Sequence, residues 1–463
     1  MRIIILGAGR VGLTVASNLA SENIDITLID KNQSVIDAAC ERLDVSAICG
    51  NVSHPDVLES AGIKKADIII AVTDSDETNM MACQIAHYLF NVPKKIARVR
   101  AQAFLDVRDT LFAADAIPID AIINPENEIV DFIKNLVLHP GAQQVLSFAE
   151  DTLNLVETKF ARHHAMLGKS IADLTGLLQG VYARVAIIYR HNEIIVPNNQ
   201  TIIEEGDRVF FVAASEDIQK VLNLLFNQNK PYKRLIIAGG GRVGLGLAKA
   251  LESTMQVKII TTNNSKAYGL SEQLDQSIVL CGDAADEAFL LDENIDRTDV
   301  FCSVTNDDET NILRAMLAKS LGARVVMCLV DRNAYMGMVD NGSIDNVIYP
   351  QHTTIGKILT HVREGDISSV HSLLRGKAEA FEATVQDNGT KSVIAGKAIG
   401  AIKLPKSVTI IGLVRQGKSL PAKSSITLEG GDHLILFIAD KSVINQVEAL
   451  FRPTKSLLSK IIG

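Results

Sequence analysis

Short apolar runs alternate with amphipathic segments through the opening part of the chain. The runs are Ile3–Leu6, Ile26–Ile29, Ala47–Cys49, Ile68–Val72 and Ile96–Val99. Between them lie stretches such as Val11–Ala20, and Asn79–Leu89 with Met80, Cys83, Ala86 and His87 at helical spacing. Strands alternating with helices predict a parallel sheet with helices on both faces. A further helix is expected from Asn124 to Leu138, stopped by His139-Pro140-Gly141. The pattern then changes. Val185–Tyr189, Glu193–Val196 and Arg208–Val212 are β-rich and joined by turns at His191-Asn192 and Glu205-Gly206-Asp207, which predicts a small α+β domain.

The same organisation occurs twice. Gly7-Ala8-Gly9-Arg10-Val11-Gly12 returns 232 residues on as Gly239-Gly240-Gly241-Arg242-Val243-Gly244. Cys49-Gly50-Asn51 returns as Cys281-Gly282-Asp283, and Val72-Thr73-Asp74-Ser75-Asp76-Glu77-Thr78-Asn79 as Val304-Thr305-Asn306-Asp307-Asp308-Glu309-Thr310-Asn311, both at that same offset. Three blocks at one spacing mark a tandem duplication. The expected fold is α/β: two tandem Rossmann-like, doubly wound parallel-sheet domains, each followed by a small α+β domain. The boundaries are expected at 1–142, 143–228, 232–362 and 363–463, with polar Asn227–Pro231 linking the copies.

Composition narrows the class. At 47% hydrophobic and 22% charged the chain is globular, not disordered. A net charge of -8 argues against nucleic acid as a partner, since phosphate binding needs a basic face. No apolar run approaches the roughly 20 residues a spanning helix needs, so direct membrane insertion is not expected. Six cysteines are scattered singly, without metal-ligand or disulfide spacing. With no signal segment, they fit a cytoplasmic protein.

Gly7, Gly9 and Gly12 directly follow a strand and open a helix, the context a dinucleotide-binding loop requires. The second strand ends in Asp30, 21 residues after Gly9, where a carboxylate accepts ribose hydroxyls and repels a 2′-phosphate. In the second copy Gly239, Gly241 and Gly244 remain, but the matching strand ends in Thr261-Thr262-Asn263. The phosphate cradle is kept and the ribose anchor is not. Asn51 and Asp283, just past the third strands, are placed to read a base edge. Thr73 ends the fourth strand, and Arg98 and Arg100 stand at the end of the fifth, within reach of phosphate. A dehydrogenase would add a proton-transfer group beside the nicotinamide. The ten histidines do not cluster, and His163-His164 reads as a solvated segment. Neither glycine loop is followed by a Walker lysine. No catalytic or metal-ligating residue is expected.

The glycine loop, the acid, the Cys-Gly-Asn turn, the Val-Thr-Asp block and the β-rich tail, all duplicated, resemble the TrkA family over the whole chain. The resemblance implies a non-enzymatic regulatory subunit of a bacterial Trk potassium-uptake system. Such a subunit is peripheral on the inner face of the cell membrane. It is a homo-oligomeric ring that gates a membrane-embedded Trk-type channel subunit. The implied ligands are NAD(H), with ATP or ADP as alternatives. By motif match, Gly7, Ala8, Gly9, Arg10, Val11, Gly12, Asp30, Asn51, Val52, Thr73 and Arg100 carry binding in the first copy. Gly239, Gly241, Arg242, Val243, Gly244, Thr261, Asp283 and Thr305 stand in the second. Asn51 departs from the acid usual at its place, and Thr261 from the ribose acid. The rival class is an NAD-dependent oxidoreductase.

Overall fold

The computed structural model describes residues 1–463 apart from 21, 23, 114, 161–163, 227–230, 336–338, 340–341, 364, 388–390 and 455–463. The expected linker at 227–230 lies outside the described residues.

The first apolar runs form a parallel sheet of β1 (Arg2–Leu6), β2 (Asp25–Asp30), β3 (Ser46–Cys49), β4 (Ile68–Ala71), β5 (Lys94–Arg98) and β6 (Ala121–Ile123), in the order β3-β2-β1-β4-β5-β6. Ile3, Ile4, Ile5 and Leu6 have no exposure, because helices cover both faces of the central strand. Chain order reverses beside β1, which opens a crevice at the carboxyl ends of the strands. A five-stranded antiparallel sheet follows: β7 (Gln144–Phe148), β8 (Leu153–Lys159), β9 (Ala183–Arg190), β10 (Glu193–Ile195) and β11 (Arg208–Ala214), ordered β10-β9-β11-β8-β7.

The second copy repeats the plan. Its parallel sheet holds β12 (Arg234–Ala238), β13 (Gln256–Thr261), β14 (Ile278–Cys281), β15 (Val300–Ser303), β16 (Val325–Leu329) and β17 (Asn346–Ile348), ordered β14-β13-β12-β15-β16-β17. The last antiparallel sheet is built from β18 (Ile367–Leu373), β19 (Ala378–Thr384), β21 (Val408–Arg415), β22 (Lys418–Leu420) and β23 (His433–Ile438), while β20 (Lys391–Ser392) pairs with β24 (Pro453–Thr454). Its order, β18-β19-β23-β21-β22, is that of the earlier small sheet.

The compact units are not the consecutive copies. One unit joins Met1–Pro125 to the described residues from Gln351 onward; the other is Glu126–Pro350. The helix Pro125–Leu138, which falls within the 1–142 expected for the first domain, shares a core with the second sheet: Ile129, Ile133, Leu136 and Val137 with Leu235, Ile237, Leu247 and Val257. The helix Pro350–Val362 shares a core with the first: Ile355, Ile358, Leu359 and Val362 with Ile3, Ile5, Val15 and Leu19. Both helices open on proline, which needs no donor there. Periodicity reveals which face of such a helix is buried, not which sheet buries it.

Each small sheet carries one buried arginine fork. Arg190 Nε and Nη2 donate to the Asp207 carboxylate at 2.8 Å each, and Arg415 makes the same bonds to Asp432 at 2.7 and 2.8 Å. Both aspartates are fully buried, so the fork neutralises a carboxylate that could not otherwise leave water. His164 is not solvated as expected. It meets Phe160 and Phe226 edge-on at 4.5 and 5.0 Å, and burial holds its imidazole pKa below the ordinary value. His163 lies outside the described residues.

Because each exchanged helix begins at an equivalent proline, a chain joining residues 1–124 directly to 350–463 should fold by itself. A single cooperative urea transition is the expected result. A dye-binding product that unfolds without a cooperative transition would contradict the exchange.

Candidate functional site

The crevice begins where β1 ends. Gly7 has φ +98°, and a Cβ there would lie 3.0–3.2 Å from the Val72 and Thr73 backbone. A Cβ on Gly12 would lie 1.9 Å from the Gly7 carbonyl oxygen, so the helix Arg10–Ala20 starts in direct contact with the strand end. Gly9 is different: a Cβ there would meet no described atom within 4 Å. It faces open space at the start of a helix whose first N–H groups lack intrahelical partners. The second loop repeats this. Gly239 has φ +132°, a Cβ on Gly244 would lie 1.8 Å from the Gly239 carbonyl, and one on Gly241 would meet nothing. Arg10 and Arg242 open the two helices, with Arg242 Nη1 3.8 Å from Glu126. Val11 and Val243 are half-buried behind them.

Asp30 closes the first crevice on its far side. Its Oδ2 accepts the Ala8 N–H at 2.8 Å and its Oδ1 accepts the Asn32 N–H at 2.9 Å. The carboxylate is thereby locked beside the glycine loop. In the second copy Thr261 takes this place and is buried. The neighbouring space is apolar: a Cβ on Gly240 would meet Leu270 Cδ1 at 2.7 Å and Thr261 Cβ at 3.2 Å. At this place the second loop faces Thr261 and Leu270 where the first faces a carboxylate.

The repeated Val-Thr-Asp block forms a bracket between the ends of β4 and β5. The expected helix at Asn79 starts earlier, at Asp76, because the Ser75 hydroxyl accepts the Thr78 N–H at 3.1 Å and caps it. Asn79 is then fully buried. Its Oδ1 accepts the Thr73 N–H at 3.0 Å and the Thr73 hydroxyl at 2.7 Å, while its Nδ2 donates to the Arg98 carbonyl at 2.9 Å. Asp76 accepts the N–H groups of Arg100 and Ala101, both at 2.8 Å. Burial alone would raise the Asp76 pKa. Those N–H groups and the Arg100 guanidinium outweigh it and hold the carboxyl below its ordinary range.

The second bracket matches. Asn311 holds Thr305 through N–H and hydroxyl at 2.9 and 2.7 Å and reaches the Leu329 carbonyl at 2.9 Å. Asp308 accepts from Asp331 and Arg332.

This geometry places the expected residues unequally. Gly7, Ala8, Gly9, Gly12 and Asp30 come together at one crevice. Thr73 borders it, and Thr305 borders the second glycine loop, but their hydroxyls donate to Asn79 and Asn311. Arg100 is engaged by Asp76 and the Asp74 carbonyl. Asn51 is tied into its own turn, accepting from Ser53 N–H and hydroxyl at 3.1 and 2.9 Å, with Val52 buried beneath. Asp283 accepts the Ala285 N–H at 2.9 Å and Arg314 Nη2 at 2.7 Å, and both hold its carboxyl below the ordinary range. Sequence reasoning missed Asn79, Asp76, Asn311 and Asp308. The signal was available, since all four lie inside the repeated Asp-Glu-Thr-Asn tetrad.

Models of the TrkA-N domain match residues 3–125 and 235–350, and models of the TrkA-C domain match 155–225 and 389–452. The chain belongs to the TrkA family. It is 46% identical over 458 residues to the Trk system potassium uptake protein TrkA of Vibrio alginolyticus, covering 99% of this chain and 100% of that one. Against the protein of the same name from Halomonas elongata it is 47% identical over 452 residues, covering 98% and 99%. Among solved structures the GsuK RCK domain matches at TM-score 0.61 and 18% identity, over 97% of this chain and 95% of that one. The GsuK channel bound to NAD matches at TM-score 0.61 and 18% identity, over 97% and 79%. At that identity the likeness is one of fold. No helix among the described residues is long and apolar enough to cross a membrane.

Asn79→Ala removes the bracket and strands two backbone groups in the interior, each costing about 1–3 kcal/mol when unpaired. The variant should lose about 2–3 kcal/mol of stability by urea denaturation. A loss below half a kilocalorie would show that the loop stands without it.

Proposed function

We propose that this TrkA-family chain is a non-enzymatic sensor. In this reading it binds NAD(H) in the first crevice and regulates a Trk-type potassium channel from the cytoplasmic side, as part of a homo-oligomeric ring. One observation carries the reading. The Asp30 carboxylate is locked beside a helix start whose Gly9 leaves open space. That arrangement suits a dinucleotide: a diphosphate fits against free N–H groups and ribose hydroxyls fit against a fixed acceptor. Bound NAD(H) supplies only groups to be read, a diphosphate and hydroxyl-bearing riboses. The chain's own work is to hold them. The loop N–H groups meet negative charge, Asp30 accepts hydroxyl donors and opposes a 2′-phosphate, and the Asn79 bracket fixes the opposite wall. The potassium role is supported by full-length identity to proteins named for potassium uptake.

The second crevice keeps the cradle but has buried Thr261 for an acid. In this reading it holds adenine nucleotides, ATP or ADP included, more weakly and with little discrimination. Ligands change a regulator only through unequal affinity for its states, so the sensor and the channel are linked by that difference alone.

Losing a charged hydrogen bond costs about 1.5–3 kcal/mol, so Asp30→Ala should weaken NADH binding roughly tenfold or more in calorimetric titration and erase preference over NADPH. Gly9→Asp should abolish the tight NADH signal, and Gly241→Asp should leave most of it. Equal loss from both glycine variants would refute the assignment of the tight site.

A further inference from the structure

The helix Arg10–Ala20 does more than open the first crevice. Its far end is fastened to the small domain of its own compact unit through buried charge. Arg363, just past the helix Pro350–Val362, has a side chain 2% exposed. Its Nη2 donates to Glu22 Oε1 at 2.9 Å and to Glu379 at 3.0 and 2.8 Å, and its Nη1 also contacts Glu22 and lies 3.9 Å from Glu448. Glu22 follows the cradle helix, Glu379 lies on β19 and Glu448 on the helix Ile444–Phe451. Alongside, Lys441 Nζ donates to Asn18 Oδ1 at 2.7 Å and lies 3.7 Å from Glu379. Thr14, on the cradle helix, has its hydroxyl 3.0 Å from Gln351 Oε1 on the helix Pro350–Val362.

We propose that the Arg363 cluster is the joint that carries a displacement of the first nucleotide loop into the second small domain, and that the second loop has no such joint. The inference rests on the reading that the first crevice holds a dinucleotide. Three physical points support it.

A helix of 11 residues is a rod about 16 Å long, so a pull on its first N–H groups moves its last turn. Buried charges in low dielectric do not separate cheaply, so the cluster transmits motion instead of yielding to it. A polar cavity of about 180 Å³, lined by Met1, Glu22, Arg363, Asn445 and Arg452 among others, adjoins the cluster and gives it room for a second arrangement.

The other unit makes the contrast. Aligning its elements with these puts Thr254 at the place of Glu22 and Leu138 at that of Arg363. Asn154, Ser215 and Leu222 stand where Glu379, Lys441 and Glu448 stand. Asn154 and Ser215 keep a neutral hydrogen bond, and none of the five aligned places is charged. The nearby carboxylate is that of Asp151, which accepts from Asn154 Nδ2 at 3.2 Å with no arginine or lysine at the aligned places. The unit whose loop keeps the ribose acid is also the unit whose helix ends in a charged joint.

Hydrogen–deuterium exchange of the full-length protein reads the joint at residues 378–384 and 444–451. Saturating NADH should change exchange there at least threefold. Glu22→Gln, which keeps a hydrogen-bonding side chain but removes the charge, should cut that response by half or more while calorimetry still detects NADH binding. Lys441→Met should do the same and serves if Glu22→Gln misfolds.

Gly12→Ala gives a ligand-free arm, because its methyl must push the helix off the Gly7 carbonyl. It should shift the same segments, and Glu22→Gln should suppress the shift. A response to Gly12→Ala but not to NADH supports the joint and removes the ligand reading. Segments that respond equally with and without Glu22, or respond to neither perturbation, overturn the joint. So does an equal response at 153–159 and 218–226 to Gly244→Ala.

Discussion

Between Gly12 and the carbonyl oxygen of Gly7 there is no room for a methyl group: a Cβ would lie 1.9 Å from that oxygen. The strand end and the helix start are therefore in backbone contact, and much of the first crevice is a consequence of that approach. It brings unpaired helix N–H groups to the carboxyl edge of the sheet, where a diphosphate can reach them. It sets the helix against β1 and β2, so that the Ala8 N–H meets Asp30 and fixes the carboxylate. It also sets the direction in which the helix leaves, and so where Asn18 and Glu22 arrive at its far end. A larger residue at either glycine would alter all three at once.

The opposite wall depends on a different constraint. A loop that leaves one buried strand and enters a helix must find partners for its backbone groups away from water. Asn79 and Asp76 supply them from the first turn of that helix, so the wall is held by the element it leads into. This explains why the Val-Thr-Asp-Ser-Asp-Glu-Thr-Asn block recurs so closely in both copies. Its polar residues keep two strand ends together, whether or not a ligand lies beside them. Thr73 and Thr305 belong to this bracket, with hydroxyls directed to Asn79 and Asn311.

The apolar runs of the first parallel sheet were legible, the central ones because strands buried on both faces read as unbroken hydrophobic stretches. The glycine loops and Asp30 were legible because their chemistry is fixed by spacing along one strand–helix unit. β6 and β17 were not, being three residues each. β8 was hidden for another reason. It buries Asn154 and Glu157 among its apolar residues, and Glu157 is tolerated only because Arg208 reaches it from β11. Exchange of the two proline-started helices was invisible, because an amphipathic stripe is indifferent to which homologous sheet it covers. The Arg363 cluster was invisible too. Glu22 lies 341 residues from Arg363, Glu379 and Glu448 stand on separate later elements, and all four look like ordinary surface charges in sequence.

Duplication explains the common features of the two halves, and charge explains how they differ. Both glycine loops, both brackets and both arginine forks survive, because each holds backbone in a shape the sheet requires. The groups that differ are those the fold can lose: Asp30 against Thr261, and Glu22, Arg363, Glu379 and Glu448 against Thr254, Leu138, Asn154 and Leu222. A buried ion cluster is rarely kept for stability, since well-packed apolar residues of similar size serve as well or better. The second unit makes that substitution at one place, with Leu222 buried where Glu448 would be, while Leu138 and Thr254 are exposed and Asn154 is buried and neutral. Retention of the charges in one unit alone therefore calls for a reason other than folding. The unit that has them is the one whose crevice carries Asp30, and the helix Arg10–Ala20 runs from that crevice to Asn18 and Glu22 at the cluster.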